Sequence, residues 1–336
     1  SGVVDAVTSA LAFGRPAARR LLDVEVRRDH LMGPATARVV LGTDLDDVTY
    51  DDLLAPTSSG IPVVMADRRA AAALPALMEA LPAERRFLFP AGERQKRLRT
   101  VEKMLEAASA MGAERGDAWV GVGGGTATDM VGTAAALYVR GVSFVAVATT
   151  WLGMTDAAVG GKVAVDLSAA KNAAGAFWPP AAIVGDVATQ RTLPRARRLD
   201  GMAESLKSGI IGDPALWALI ESRGPAALRH DEAARYSIID RSVQLKLDVV
   251  DRDPFERGER RTLNLGHTLG HALEVESGYR LPHGTAVVLG TRAVAHIATA
   301  RGAAPDLAER IDEVARRLGY ELTRAFDTGV VRSALT

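Results

Sequence analysis

The chain has 336 residues, 48% hydrophobic and 24% charged, and its 41 basic and 41 acidic side chains cancel. That composition supports a large core, suggests two domains by length, and excludes wholesale disorder and the basic surplus typical of a nucleic-acid binder. With no cysteine, disulfide frameworks and cysteine-held zinc are excluded, so any metal must rest on His, Asp or Glu. No run of about 18 apolar residues could cross a membrane, and residues 1–20 lack the basic start and apolar core of a signal peptide. The expectation is a cytoplasmic enzyme.

In chain order, the first 50 residues carry few signals: 38–41 reads as a short strand and 44–52 as an acidic loop. Ser58-Ser59-Gly60 reads as a turn. A buried strand follows at 61–65, an Ala/Leu-rich helix at 69–81, a strand at 86–89 and a helix at 98–111. The strand at 118–122 runs into Gly123-Gly124-Gly125, ahead of a small apolar helix at 128–137 and a strand at 142–148. Alternation of this kind implies a parallel α/β sheet. Beyond about 194 the strand signals nearly vanish, and 202–211, 214–222, 232–250, 262–275, 285–300 and 308–318 read as helices. The reading is an α/β domain over 1–194 followed by an all-α domain over 195–336.

Three groups of residues suggest chemistry. Glycines between a strand and a helix let a phosphate approach free backbone N–H groups, although the spacing is not G-x-G-x-x-G. Asp129, one turn into that helix, reads as a solvated acid or a capping partner. His267 and His271 share a helix face, His283 follows 12 residues later, and Arg260 and Asn264 lie upstream on the same face. A catalytic metal site needs about three protein ligands, so a carboxylate from another segment is expected; Glu204, in an apolar helix with Lys207 three residues on, is the best candidate. Asp156, Lys162, Lys171 and Asn172 form a polar cluster among Gly and Ala. Only six of the 41 basic residues are lysine, and Arg does not substitute for Lys where a compact charge is needed.

The stretch 123–177, with G-G-G-T-A-T-D, R-G-V-S-F, D-A-A-V-G-G-K and K-N-A-A-G-A-F, resembles dehydroquinate synthase. So do T-L-P at 192–194, G-M-A-E-S-L-K at 201–207, L-N-L-G-H-T-L-G-H at 263–271 and H-G-T-A-V at 283–287. The wider group is the sugar phosphate cyclases. The resemblance implies a Rossmann-like NAD-binding α/β domain followed by an all-α metal-binding domain. It implies zinc, or cobalt, on Glu204, His267 and His283. Substrate contacts would fall on Arg140, Asp156, Lys162, Asn172, Lys207, Lys246, Arg260, Asn264 and His271. NAD contacts would fall on Glu93, Lys96, Gly124, Gly125, Asp129, Thr149, Thr150, Lys171 and Thr192. Five of the six lysines occupy these positions. The implied reaction converts DAHP, a seven-carbon keto-acid sugar phosphate, or its amino analogue, to 3-dehydroquinate or its analogue. Phosphate is eliminated, an intramolecular aldol step closes the ring, and NAD is regenerated. The alternatives are a cyclase acting on a sedoheptulose-type phosphate, a metal-dependent polyol dehydrogenase and an inactive homologue. A homodimer is expected, with no nucleic-acid or membrane partner.

The chain departs from the family pattern at Asp166, where Asn is usual, and at Thr285. No lysine follows Lys246. The terminal V-V-R-S-A-L-T reads as a strand, 326–331 as a mobile lid, and Arg332 as the nearest substitute for a closing cation.

Overall fold

The computed structural model describes residues 20–27, 34–45, 61–168, 170–302 and 306–335. The signal-peptide reading, most of the acidic loop and the 58–60 turn lie outside the described residues. The chain divides into two compact units, 1–193 and 194–336.

The first unit is built on a seven-stranded sheet. Its strands are β1 (Arg20–Arg27), β2 (Pro34–Gly42), β3 (Val63–Asp67), β4 (Arg86–Phe89), β5 (Trp119–Gly123), β6 (Phe144–Ala148) and a last strand, Ala182–Asp186. The last strand is β9, because a separate antiparallel ribbon of β7 (Lys162–Val165) and β8 (Ala174–Phe177) precedes it. The order is β1-β2-β9-β6-β5-β3-β4. β1 runs antiparallel to β2 and the other pairs are parallel. β5, β6 and β9 are buried along their whole length, which is why they read as unbroken apolar runs rather than alternating ones. Helices α1 (Arg68–Ala73), α2 (Pro75–Ala80), α3 (Leu98–Ala110) and α4 (Gly125–Leu137) accompany the sheet. The single helix expected over 69–81 is two. Pro75 opens α2, and Leu74 before it is driven out of helical geometry to φ −129°, ψ 59°.

The second unit is helical: α5 (Arg195–Gly212), α6 (Pro214–Ala227), α7 (Glu232–Arg252), α8 (His267–Glu276), α9 (His283–Ala300), α10 (Leu307–Leu318) and α11 (Thr328–Ala334). The helix expected over 262–275 is interrupted. Residues Glu259–Asn264 form a 3₁₀ turn, and Gly266, in the left-handed region at φ +80°, starts α8 afresh. Gly266 also allows a backbone contact: a Cβ built on Gly290 of α9 would lie 2.0 Å from the Gly266 carbonyl oxygen. A Cβ on Gly284 would lie 2.6 Å from the backbone of Asp200 on α5. Asp200 accepts a hydrogen bond from the Gly284 N–H at 3.2 Å. Three helix segments are thereby held closer than side chains would permit.

The terminal segment expected as a strand is helix α11. Asp327 caps it through the N–H groups of Gly329 and Val330, and Val331 packs on Ala272 and Leu273. Glu276 accepts from Arg324 and from the Asp327 N–H, so 326–331 is tied to α8 rather than a free loop. Among the described residues, no helix is long and apolar enough to cross a membrane.

Candidate functional site

In the helical unit, the close packing brings the starts of α8 and α9 to the middle of α5. Nε2 of His267 and Nε2 of His283 each lie 3.5 Å from Oε1 of Glu204. Lys207, one turn along α5, pairs with Oε2 of Glu204. Both Glu204 oxygens are buried without a hydrogen bond of good geometry. Burial opposes ionisation of Glu204, but Lys207 and the two imidazoles outweigh it and hold the carboxyl well below the usual range. Burial would strip the proton from His283. The carboxylates of Glu204 and Glu274 outweigh it and push the imidazole up to about 10. The group therefore attracts positive charge. One carboxylate oxygen and two imidazole nitrogens within 4.8 Å of one another form the N/O donor set that suits a divalent ion such as zinc. His271, Glu274 and His283 also bring donor atoms within 4.8 Å.

Arg260 and Asn264 do not share a helix face with the histidines, because the turn at Leu265-Gly266 separates them from α8. Instead, Arg260 is buried with Nη1 donating to the Pro254 carbonyl at 2.6 Å. Asn264 donates to Glu256 Oε1 at 2.7 Å. Lys246 is buried on α7.

In the α/β unit, a second group forms where turns follow strands. Lys96 Nζ lies 2.5 Å from Asp129 Oδ2 and 2.5 Å from Asn172 Oδ1. Lys171 pairs with Glu93 at 2.9 Å. Asn172 sits in the left-handed region at φ +51°, and its N–H donates to Asp166 Oδ1 at 2.8 Å. Asp129 is thus neither a solvated acid nor a cap. Burial pushes it up to about 6 even with Lys96 alongside, and Asp156 and Glu93 add to the rise.

Gly124 and Gly125 begin α4, where no side chain caps the helix. A Cβ at Gly124 would lie 2.9 Å from Thr150, and one at Gly125 2.7 Å from Ala157. Small backbone and open N–H groups are what a dinucleotide pyrophosphate requires. Thr149 anchors the next turn, its N–H donating to the Gly123 carbonyl at 2.9 Å and its carbonyl accepting from Thr189 and Gln190. Thr150 Oγ1 accepts from the Gly153 N–H at 3.0 Å, and Thr192 Oγ1 donates to the Thr189 carbonyl at 3.2 Å. Asp156 lies in a single π-helical turn, Gly153–Ala157. Lys162 is exposed at the start of β7. Arg140 is exposed at the end of a short 3₁₀ turn, at φ +70°.

Sequence reasoning overlooked Asp166 as the anchor of the 171–172 turn, Glu256 as the partner of Asn264, and Glu274. The last had a signal: His267, His271 and Glu274 follow the i, i+4, i+7 spacing of one helix face.

A Rossmann-like α/β unit followed by a helical unit with a Glu–His–His donor set defines a class of dinucleotide-type enzymes with a metal-type site. Within that class, a model described as 3-dehydroquinate synthase N-terminal matches residues 86–200, and one described as 3-dehydroquinate synthase C-terminal matches 201–336. A 3-dehydroquinate synthase of Xanthomonas campestris pv. campestris (strain 8004) is 41% identical over 258 residues, 74% of this chain and 69% of that protein. The chain is an enzyme of the 3-dehydroquinate synthase family. A structure of 2-epi-5-epi-valiolone synthase from Streptomyces hygroscopicus subsp. jinggangensis 5008, with NAD+ and Zn2+ bound, superposes with a TM-score of 0.82 at 27% identity. That match covers 92% of this chain and 88% of that one. A 2-deoxy-scyllo-inosose synthase shares the fold, with a TM-score of 0.80 at 23% identity over 94% of this chain and 88% of that one.

Proposed function

We infer that the protein is a sugar phosphate cyclase that converts DAHP, or its amino analogue, to 3-dehydroquinate or the corresponding amino product. The observation that carries this reading is the convergence of His267 Nε2 and His283 Nε2 on the buried Glu204 carboxylate in a chain of this family. Glu204, His267 and His283 would hold a divalent zinc or cobalt ion. Glu93, Lys96, Gly124, Gly125, Asp129, Thr149, Thr150, Lys171 and Thr192 would hold NAD. When bound, these two groups would supply the transient oxidation and re-reduction of one carbinol and the polarisation of its oxygen.

The remaining work falls to the side chains. Arg140, Lys162, Lys207 and Lys246 would offset the charge of the phosphate and of the phosphate leaving group. Arg260, Asn264 and His271 would hold the carboxylate and neighbouring hydroxyls, while Asp156 and Asn172 would orient further hydroxyls. Glu204, already ionised, also pairs with Lys207. The cytoplasm and a homodimer belong to the same reading.

A second reading, a cyclase acting on a sedoheptulose-type phosphate, draws on the likeness to 2-epi-5-epi-valiolone synthase. Arg260 favours the carboxylate substrate. Purified protein with NAD+ and Zn2+ is to be offered DAHP, its amino analogue and sedoheptulose 7-phosphate separately, following phosphate release and carbocycle formation. Turnover of either keto acid is expected. Turnover of sedoheptulose 7-phosphate alone would favour the second reading.

A further inference from the structure

Glu274 is a buried acid on the same face of α8 as His267 and His271. Its Oε2 lies 3.3 Å from His283 Nδ1 and 4.0 Å from His271 Nε2. The opposite nitrogen of the His283 ring, Nε2, lies 3.5 Å from Glu204 Oε1. His267 is arranged in parallel: Nδ1 is 3.3 Å from the Leu265 carbonyl oxygen, and Nε2 is 3.5 Å from Glu204 Oε1. A neutral imidazole offers a lone pair at one nitrogen only when the proton sits on the other. An acceptor at Nδ1 therefore selects the tautomer that leaves Nε2 open, and it fixes the ring plane as well.

We propose that Glu274 is the positioning residue for His283: it accepts the Nδ1–H and turns Nε2 toward Glu204, as the Leu265 carbonyl does for His267. Helix geometry makes this possible. Glu274 stands two turns beyond His267, so one face of α8 supplies both a donor to the metal-type group and the orienting acceptor for a donor on α9. The proposal rests on reading Glu204, His267 and His283 as the metal donors. A competing arrangement, in which Glu274 and His271 hold an ion of their own with His283, would need His283 Nδ1 to lose its proton.

The test measures Zn2+ affinity of the full chain by competition with a chromophoric chelator, together with the visible bands of bound Co2+. Glu274→Leu keeps the volume but removes the acceptor. It should weaken Zn2+ by about 10- to 100-fold, at an unchanged single ion per chain, with shifted Co2+ bands. Glu274→Gln retains an acceptor oxygen and should recover most of the affinity. Wild-type affinity and unchanged Co2+ bands in Glu274→Leu would overturn the proposal. So would two ions per wild-type chain, with one lost on removing Glu274. Should Glu274→Leu not fold, nitrogen-detected NMR of the Zn2+-loaded wild type decides: a His283 Nδ1–H is expected, and an Nε2–H would overturn it. A parallel Glu204→Gln variant separates the two levels. Undiminished Zn2+ binding there removes the donor assignment and this inference together, whereas a Glu274-independent affinity removes only this inference.

Discussion

The two units each bury a charged group, and they balance it differently. In the α/β unit, Asp129 meets a lysine, Lys96, whose Nζ lies 2.5 Å from both Asp129 Oδ2 and Asn172 Oδ1. Lys96 follows a 3₁₀ turn, Asp129 lies within α4 and Asn172 lies on the 171–172 turn. In the helical unit, Glu204 faces two imidazoles and Lys207, and Glu274 faces the His283 imidazole. There the residues sit on helix segments whose backbones touch at Gly266–Gly290 and Gly284–Asp200. A lysine closes a carboxylate pair by itself, whereas imidazoles bring lone pairs that a cation can share. The first group is thus poised by burial and sensitive to pH. The second is a rigid donor set, sensitive to backbone spacing.

The sharpest challenge to this contrast is Lys207→Met. Removing one partner of a buried ion pair typically costs about 3–5 kcal/mol, and chemical denaturation of the metal-free protein should read a loss of that order. A loss below about 1 kcal/mol would mean that the imidazoles alone neutralise Glu204. Gly290→Ala comes next. Its Cβ would lie 2.0 Å from the Gly266 carbonyl oxygen, so α8 and α9 must move apart at a cost of roughly 1–3 kcal/mol, with weakened Zn2+ binding. Unchanged Zn2+ affinity would show that backbone spacing does not set the donor geometry.

The pH test concerns Asp129. Its folded value of about 6 stands above its ordinary value of 3.8, so the folded chain binds this proton more tightly than the unfolded one. Asp129 therefore subtracts stability as pH rises through that window, on the order of 3 kcal/mol, and nothing further above it. Carboxyl-carbon NMR should show a midpoint near 6 in the protein free of NAD. A midpoint near the ordinary value would place Asp129 in water and erase the contrast.

Much of this was legible in sequence, for reasons that differ along the chain. β5 and β6 were read within two residues, because strands buried on both faces leave unbroken apolar runs, and the short edge strand β4 was read at its observed bounds from its aromatic residues. β9 (Ala182–Asp186) carries a similar run but was passed over within a Gly- and Pro-rich neighbourhood. β1 was unread, since its run R-L-L-D-V-E-V-R is broken by charged residues. The α8 start was misplaced by five residues because Asn264 and Arg260 kept helical spacing with His267, and spacing does not register that Gly266 is left-handed. The candidate site was legible as residue types: Glu204, His267 and His283 converge, as do Lys96, Asp129 and Asn172. The supporting residues were not, because Asp166 reaches Asn172 and Glu256 reaches Asn264 across turns whose course residue spacing does not register. Glu274 had the right spacing with His267 and His271 but was passed over.

The most direct test of the central claim is turnover of DAHP with Zn2+ present and NAD+ far below one equivalent, following phosphate, carbocycle and nicotinamide absorbance in the same sample. The account predicts many turnovers, phosphate released mole for mole with carbocycle, and no accumulation of reduced nicotinamide. Reduced nicotinamide formed in proportion to product, or carbocycle-free consumption of DAHP, would contradict it.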